Sequence, residues 1–248
     1  MKIIALSDCH FKYHPTDKAD AENAKLLTNF LGSIVGKYDL MVLVGDIFDL
    51  WFDWKYTIVK QYFPLLRRLA DIADAGCRIV YISGNHDFWF GDFLSKYLGC
   101  EMHPEGFSLE TDGVHIRFEH GDIRTVNDLR YQLYRKLIRL NFMRGIFAAI
   151  HPDLALQLGT FLSRSSRTRP ENPEVRRRKT QGLKNYAKSL INNKKADIVV
   201  MGHSHVPELA PINKGYYANC GDWINHHTYL EIIAGTPLMR HLHEDNNN

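Results

Sequence analysis

Four short apolar runs, Lys2–Leu6, Leu40–Val44, Arg78–Ile82 and Ile198–Met201, each lead straight into a polar cluster of Gly, Asp, Asn, Ser or His. Runs this short and this rich in Ile and Val suit strands buried on both faces. Between the first two, Ala19–Val35 has helical spacing, with Ala24, Leu27, Leu31 and Ile34 on one face. Between the second and third, Val59, Phe63, Leu66, Ala70 and Ala73 repeat likewise, and Gly76 is placed to end that helix. Strand–helix–strand order predicts right-handed crossovers and a parallel core sheet.

Past residue 100 the pattern changes. Ser108–Thr111, the Asp112-Gly113 turn and Val114–Glu119 predict an antiparallel hairpin. Tyr216–Asn219, Tyr229–Ile233 and Leu238–Leu242 add short strands near the end. The expected fold class is therefore α/β (α+β): two packed sheets with helices outside. Leu129–Arg169 interrupts that pattern. Leu129, Leu133, Leu137 and Leu140 form one helical stripe, continued by Phe142, Ile146, Phe147 and Ile150. Pro152 breaks or restarts the helix, and Leu154, Leu158, Phe161 and Leu162 form a second stripe. Asn172-Pro173 starts a basic helix running to about Asn192. Core packing is the ordinary reading of each stripe. The alternative is a helical cap whose apolar face holds a greasy substrate or touches a membrane. The chain is expected to form one domain over 1–248, with the cap inserted at about 124–170 and a disordered tail at 244–248.

A chain of 248 residues has enough core to fold without disulfides. Its composition excludes a disordered chain, and no run approaches the roughly 18 apolar residues of a membrane span. Met1-Lys2 leads directly into a strand, so no leader peptide is expected. Cys9, Cys77, Cys100 and Cys220 are widely spaced, which suits reduced thiols in a cytoplasmic protein. The net charge of +3 hides a segregation: residues 124–195 carry 17 Lys and Arg against 4 Asp and Glu. A solvated helix face is the plain explanation, and a surface for an anionic partner is the other.

The polar clusters carry the chemistry. Asp8-x-His10, Gly45-Asp46, Gly84-Asn85-His86-Asp87, His120-Gly121-Asp122 and Gly202-His203-Ser204-His205 each follow a strand-like run. Carboxyl ends of strands in an α/β sheet line a common crevice, so five dispersed segments converge on one site. Carboxylate, imidazole and amide oxygen form a mixed oxygen/nitrogen donor set, which suits Mn²⁺, Fe²⁺ or Zn²⁺ better than Ca²⁺. Asp8, His10, Asp46, Asn85, His120, His203 and His205 are seven candidate ligands. They are too many for one tetrahedral ion and enough for two sharing a carboxylate. Two ions about 3.5–4 Å apart activate water and clamp a phosphoryl group. Each segment alone is a weak signal, because Gly-Asp after a strand is usually a turn; the ordered set is a strong one.

These segments, with Gly45-Asp46-x-x-Asp49, resemble the full motif set of calcineurin-like metallophosphoesterases and span residues 8 to 205. The resemblance implies a β-sandwich of two mixed sheets flanked by helices. It also implies one ion on Asp8, His10, Asp46 and His205, and another on Asp46, Asn85, His120 and His203. Within that superfamily, Gly45-Asp46-Ile47-Phe48-Asp49-Leu50-Trp51, Asn85-His86-Asp87-Phe88, Asp128-x-x-Tyr131-Gln132, His205-Val206-Pro207 and Gly221-Asp222-Trp223 are similar to the UDP-2,3-diacylglucosamine diphosphatase family of lipid A synthesis. That family carries a helical cap directly after its His-Gly-Asp motif. The closer resemblance implies cleavage of a pyrophosphate to UMP and 2,3-diacylglucosamine 1-phosphate, usually with two Mn²⁺. Its partners would be the nucleotide-activated glycolipid and, through a basic cap, the anionic cytoplasmic face of the inner membrane.

The chain departs from that family at His86, where the family has arginine, and at Phe52-Asp53-Trp54-Lys55, where it has Gly-Asp-Asp-like residues. His86 is the catalytic candidate, as an imidazolium stabilising the phosphorane or protonating the leaving oxygen, with Asp49 or Asp87 fixing its orientation. A structural role near the metals is the other reading. Asn85, Trp51, Asp128 and Tyr131 are the substrate-binding candidates, and Trp51, Phe52 and Trp54 either rim the pocket or pack in the core. His226-His227 is expected at the surface or in a strand. The alternative function keeps the chemistry and changes the substrate to a soluble phosphodiester, nucleotide or phosphoprotein. Nucleic-acid binding is disfavoured, because the basic residues alternate with Leu, Ile and Phe rather than stacking aromatics.

Overall fold

The core strands alternate which layer each side chain enters, and both layers are dry, which is why their sequences read as unbroken apolar runs. A computed structural model describes residues 1–124, 129–167 and 173–242, with backbone alone for 129–131 and 160–167. In the first sheet, β1 (Lys2–Leu6) runs parallel to β2 (Leu40–Leu43), β2 to β3 (Arg78–Tyr81), and β3 to the two-residue β4 (Glu101–Met102). On the far side of β1, β10 (Thr228–Ile233) and β11 (Thr236–His241) run antiparallel. The second sheet has the order β5 (Phe107–Thr111), β6 (Val114–Glu119), β7 (Ile198–Met201), β9 (Gly215–Asn219), β8 (Glu208–Ile212). Its central pairs, β6 with β7 and β7 with β9, are parallel.

Ile3, Ala5, Val42 and Val80 face inward and meet Phe118, Ile198, Val200 and Ala218 between the sheets. Their neighbours Ile4, Leu6, Met41 and Tyr81 face outward and are covered by α1 (Lys18–Ser33), α2 (Phe63–Asp74) and α3 (Phe93–Leu98). On the second sheet, Val199, Met201 and Tyr217 lie under Leu183, Ala187 and Ile191 of α7 (Pro173–Asn192). The predicted sandwich with helices outside is what forms. The Asp112-Gly113 turn has φ of 51° and 76°, the signature of the tight turn that suits a twisted hairpin.

Three sequence expectations shift. A 3-10 turn at Lys60–Tyr62 precedes α2, so Val59 lies outside the helix and the stripe slips in phase. Leu65, Leu66, Leu69 and Ile72 are its buried face, and Phe63 is exposed. Strands β4 and β8 carried no readable pattern, the first because it has two residues, the second because it is an edge strand interrupted by Pro211.

The third concerns the segment between β6 and α7. It forms α4 (Leu129–Ile138), α5 (Asn141–Ala149) and α6 (Pro152–Arg167), with Pro152 as the first residue of α6. The ordinary core reading of its stripes fails for most positions. Leu133 is 70% exposed and Phe142 73%, and Leu137, Leu140, Ile146, Leu154 and Leu158 also face solvent. Phe147 and Ile150 turn partly inward, Phe147 against Phe52, Trp89 and Trp54 at ring distances of 4.8, 4.8 and 6.2 Å. No described helix is long and apolar enough to cross a membrane. All four cysteines are free and buried. The tail expected at 244–248, and the side chains of Leu129, Phe161 and Leu162, lie outside the described residues.

Candidate metal centre

Six parallel strands, three from each sheet, end at one edge of the sandwich. β1 releases Ser7-Asp8, β2 Gly45-Asp46 and β3 Gly84-Asn85; β6 releases His120, β7 Gly202-His203 and β9 Gly221-Asp222. Backbone bonds carry the ladders past the strand ends and stitch the loops together: Asp8 N donates to Gly45 O (3.1 Å), His10 N to Asp46 O (2.9 Å) and Gly202 N to His120 O (3.1 Å). The glycines are needed for close approach. A Cβ on Gly84 would overlap the Asp46 carboxylate, and one on Gly202 would sit 2.6 Å from Asp8 Oδ2.

The seven candidates come together. Asp46 Oδ2 lies 3.8 Å from His10 Nε2 on one side and 3.5 Å from His120 Nε2 on the other, the place of a shared carboxylate. Asp8 Oδ1 faces His205 Nε2 at 3.4 Å and His10 Nε2 at 3.9 Å. Asn85 Oδ1 stands 3.2 Å from His120 Nε2 and 3.0 Å from His203 Nδ1. Asp8, His10 and His205 form one group able to hold an ion; Asp8, Asp46 and His120 form another. Asp8 Oδ1 is buried with no hydrogen-bond donor, an arrangement that is costly unless a cation meets it. The donor set therefore fits a pair of divalent ions.

The outer atoms of the histidines are fixed by oxygen. His120 Nδ1 donates to the Val44 carbonyl (2.8 Å), which leaves Nε2 for the site. His205 Nδ1 faces Asp222 Oδ2 at 3.6 Å and His10 Nδ1 faces Asp49 Oδ1 at 3.7 Å, so both also present Nε2. Such partners set the tautomer and the ring plane of a metal-binding histidine. Asp8, His10, Asp46, His203 and His205 all have φ between 44° and 66°. Left-handed backbone of this kind costs about 1–3 kcal/mol per residue and persists only where the surroundings enforce it. Asp and His tolerate it better than β-branched residues do.

The electrostatics suit a cation. Burial would push the His120 imidazole down, yet the carboxylates of Asp46, Asp8 and Asp122 overrule it and raise it to about 10. Burial would likewise raise Asp46, but His120, His86 and His10 hold it well below the usual carboxylate range. His203 is pushed down by burial, His120 and Lys179, which keeps its ring neutral and able to donate a lone pair.

The remaining candidates divide. His86 sits beside the cluster, 4.9 Å edge-on from His10, and its Nδ1 donates to the Asp49 backbone carbonyl at 3.1 Å. Asp49 thus orients His86 by its carbonyl, while its carboxylate faces His10. Asp87, offered as a second orienting group, does something else. It is fully buried and accepts from Asp46 N, Ile47 N, Phe48 N, Gly84 N and the Tyr81 hydroxyl, which binds the second and third loops into one unit. Trp51, expected at the substrate, is 2% exposed and packs against Phe48, Tyr62 and Phe93. It is a core residue, because the strand-like extension after Asp49 turns its ring under the loop. Phe52 and Trp54 are buried as well and receive Phe147. Asp128 lies outside the described residues, as does the side chain of Tyr131.

Asp222 was missed as a working residue. It accepts from Ile224 N, Asn225 N and His226 N, and pairs with His226 Nδ1 (3.0 Å) and His205. Against burial, those partners depress its carboxyl strongly. The signal was present, since Gly221-Asp222 follows a strand-like run as the other clusters do. His226 serves this network, and His227 Nε2 pairs with Asn23 Oδ1 (2.8 Å).

A family model described as calcineurin-like phosphoesterase matches residues 1–207. The chain is 29% identical over 269 residues to a UDP-2,3-diacylglucosamine hydrolase of Porphyromonas gingivalis, covering 98% of each chain. It is 24% identical to a protein of that name from Shewanella halifaxensis (94% of each chain) and 22% identical to one from Haemophilus influenzae (88% and 89%).

Proposed function

The chain belongs to the calcineurin-like phosphoesterase family and is a metal-dependent phosphoester or pyrophosphate hydrolase, and from that premise we propose that it cleaves UDP-2,3-diacylglucosamine. One water is consumed, one P–O bond of the pyrophosphate breaks, and UMP and 2,3-diacylglucosamine 1-phosphate leave. The observation that carries the substrate is the helical insertion, which exposes Leu133, Leu137, Phe142, Ile146 and Leu154 to solvent and reaches the site loops through Arg135 and Arg139. The names of relatives matched along nearly their whole length support the same reading.

Two divalent ions, Mn²⁺ in this proposal, would supply Lewis acidity toward phosphoryl oxygen and an activated water when bound. The chain's own residues do the rest. Asp8, His10, Asp46 and His205 would hold one ion, and Asp46, Asn85, His120 and His203 the other. The Val44 carbonyl, Asp222 and Asp49 keep three imidazoles turned so that Nε2 faces inward. His86 donates Nδ1–H to the Asp49 carbonyl, and its ring lies edge-on against His10; as an imidazolium it would also present Nε2–H to a phosphoryl oxygen as negative charge grows there. The apolar face of the insertion takes acyl chains and rests on the anionic cytoplasmic face of the inner membrane, with Asp128 and Tyr131 as further substrate contacts.

Incubating the purified protein and Mn²⁺ with UDP-2,3-diacylglucosamine and following UMP by chromatography tests this. Release is expected at nanomolar enzyme, and none at micromolar enzyme would refute the substrate. A second reading, a soluble phosphodiester or nucleotide, draws on His86, the residue of the wider superfamily. Equal turnover of a water-soluble nucleotide pyrophosphate and the lipid would favour it.

A further inference from the structure

Helix α4 is attached to the body in an unusual way. None of its described side chains is buried, and Leu133 and Leu137 face solvent. Two arginines four residues apart make polar contacts with the body. Arg135 Nε donates to Asp122 Oδ2 at 2.6 Å, with 14% and 4% of the two side chains exposed. Arg139, in the turn just after α4, donates through a terminal guanidinium nitrogen to Gly84 O at 2.9 Å and lies over the Phe88 ring at 5.0 Å.

Both acceptors belong to loops that carry candidate metal ligands. Asp122 opens the 3-10 turn Asp122–Arg124, two residues after His120. The Gly84 carbonyl is the first half of the peptide that leads into Asn85, and the N–H of Gly84 is held by Asp87 at 2.8 Å. With Arg139 on its oxygen, Gly84 is gripped at both ends. The tilt of that peptide sets the direction of the Asn85 side chain, whose Oδ1 must meet both His120 and His203. Spacing of four on a helix places the two guanidinium groups on one face, which is the geometry of a clamp.

We propose that Arg135 and Arg139 are positioning residues: they seat the inserted helix on the His120 and Asn85 loops, and through those loops hold the ligands of the second ion. The contacts of Arg135 and Arg139 fall on the loops of His120 and Asn85, ligands of the second ion, whereas Asp8, His10 and His205 of the first ion come from other loops, and Asp46 is shared. The clamp therefore links occupation of the insertion to one half of the dinuclear centre. It rests on the ligand set argued above and not on the lipid substrate.

The test titrates the full-length, metal-free protein with Co²⁺ alone, reading visible absorption, and measures amide hydrogen exchange across α4. Asn85→Ala identifies the phase of the titration that belongs to the second ion. Arg135→Gln and Arg139→Gln are each expected to weaken that phase tenfold or more, to leave the other within twofold, and to speed exchange in α4. Arg135→Lys, which keeps the charge, is expected to recover part of the loss. Lys136→Gln, on the same helix and exposed, is expected to leave both phases in place. If Arg135→Gln does not fold, Arg139→Lys carries the test, since it loses the planar fork and keeps the charge. Unchanged titrations would overturn the clamp, as would equal weakening of both phases, which is what general loosening produces. The same variants assayed for UMP separate the two proposals: a native protein without UMP release but with the selective Co²⁺ response loses the substrate and keeps the clamp.

Discussion

Asp46 carries two jobs on one carboxylate. Its Oδ1 accepts from His86 N at 2.8 Å, which fixes the third loop, and its Oδ2 lies between His10 and His120. The charge so gathered is balanced in the metal-free protein by a proton on His120, raised to about 10. A histidine raised in the folded state contributes stability that is whole below its unfolded value near 6.5 and is lost as pH climbs through the folded one. The metal-free protein should therefore lose melting temperature steadily between pH ~7 and ~10. A divalent ion displaces that proton, so the loaded protein should show no such slope and metal affinity should rise with pH. Thermal unfolding at stepped pH, with and without Mn²⁺, measures both; a metal-free curve flat through this range would remove His120 as the cause. The seven ligand candidates were legible because each obeys a local grammar, strand end then Gly, Asp or His. Trp51 was not, because a sequence shows that an aromatic follows a motif and not which way the loop turns it.

At the scale of elements, the insertion packs on the body through an aromatic contact and a few α6 side chains, Ala155 and Leu156 among them, besides the two arginines. Phe147 enters the Phe52–Trp54–Trp89 nest, while Phe142 and Leu137 stay outside. Leu137→Asp with Phe142→Asp should leave the melting temperature within about 2 °C, as expected for surface positions, and abolish flotation with anionic liposomes. Phe147→Ala should act oppositely, costing about 2 kcal/mol of local stability as a partly buried aromatic is cut away from its nest. Denaturant unfolding and flotation on the two variants give that contrast, and equal liposome binding by native and doubly substituted protein would contradict the outward orientation. Periodicity announced that these helices own an apolar face. It could not say whether protein covers that face, since an amphipathic stripe looks the same above a core and above solvent. The phase slip at Phe63 has a similar origin, because a 3-10 turn before a helix shifts the register without leaving a mark in composition.

For the molecule as a whole, the centre belongs to neither sheet. Three of its loops come from β1, β2 and β3 and three from β6, β7 and β9, so bound ions tie one layer of the sandwich to the other. Ions held only by the native state stabilise it by mass action, about 2.7 kcal/mol at a free concentration one hundred times the dissociation constant. Removing them with a chelator should lower the melting temperature by several degrees and re-addition should restore it; calorimetry that finds no shift would mean the loops are preformed without affinity. The sandwich itself could be read from the alternation of runs and the hairpin turn. The partnership of β8 and β11 with their sheets could not, because edge strands are specified by neighbours far away in the chain.

The ligand candidates stretch from Asp8 to His205, and Asp222 orients the last of them. During synthesis, then, the ribosome must deliver more than two hundred residues before the full set of ligand candidates exists. A chain that stops short of His203 lacks two of the seven ligand candidates, so the complete centre is assembled late in translation.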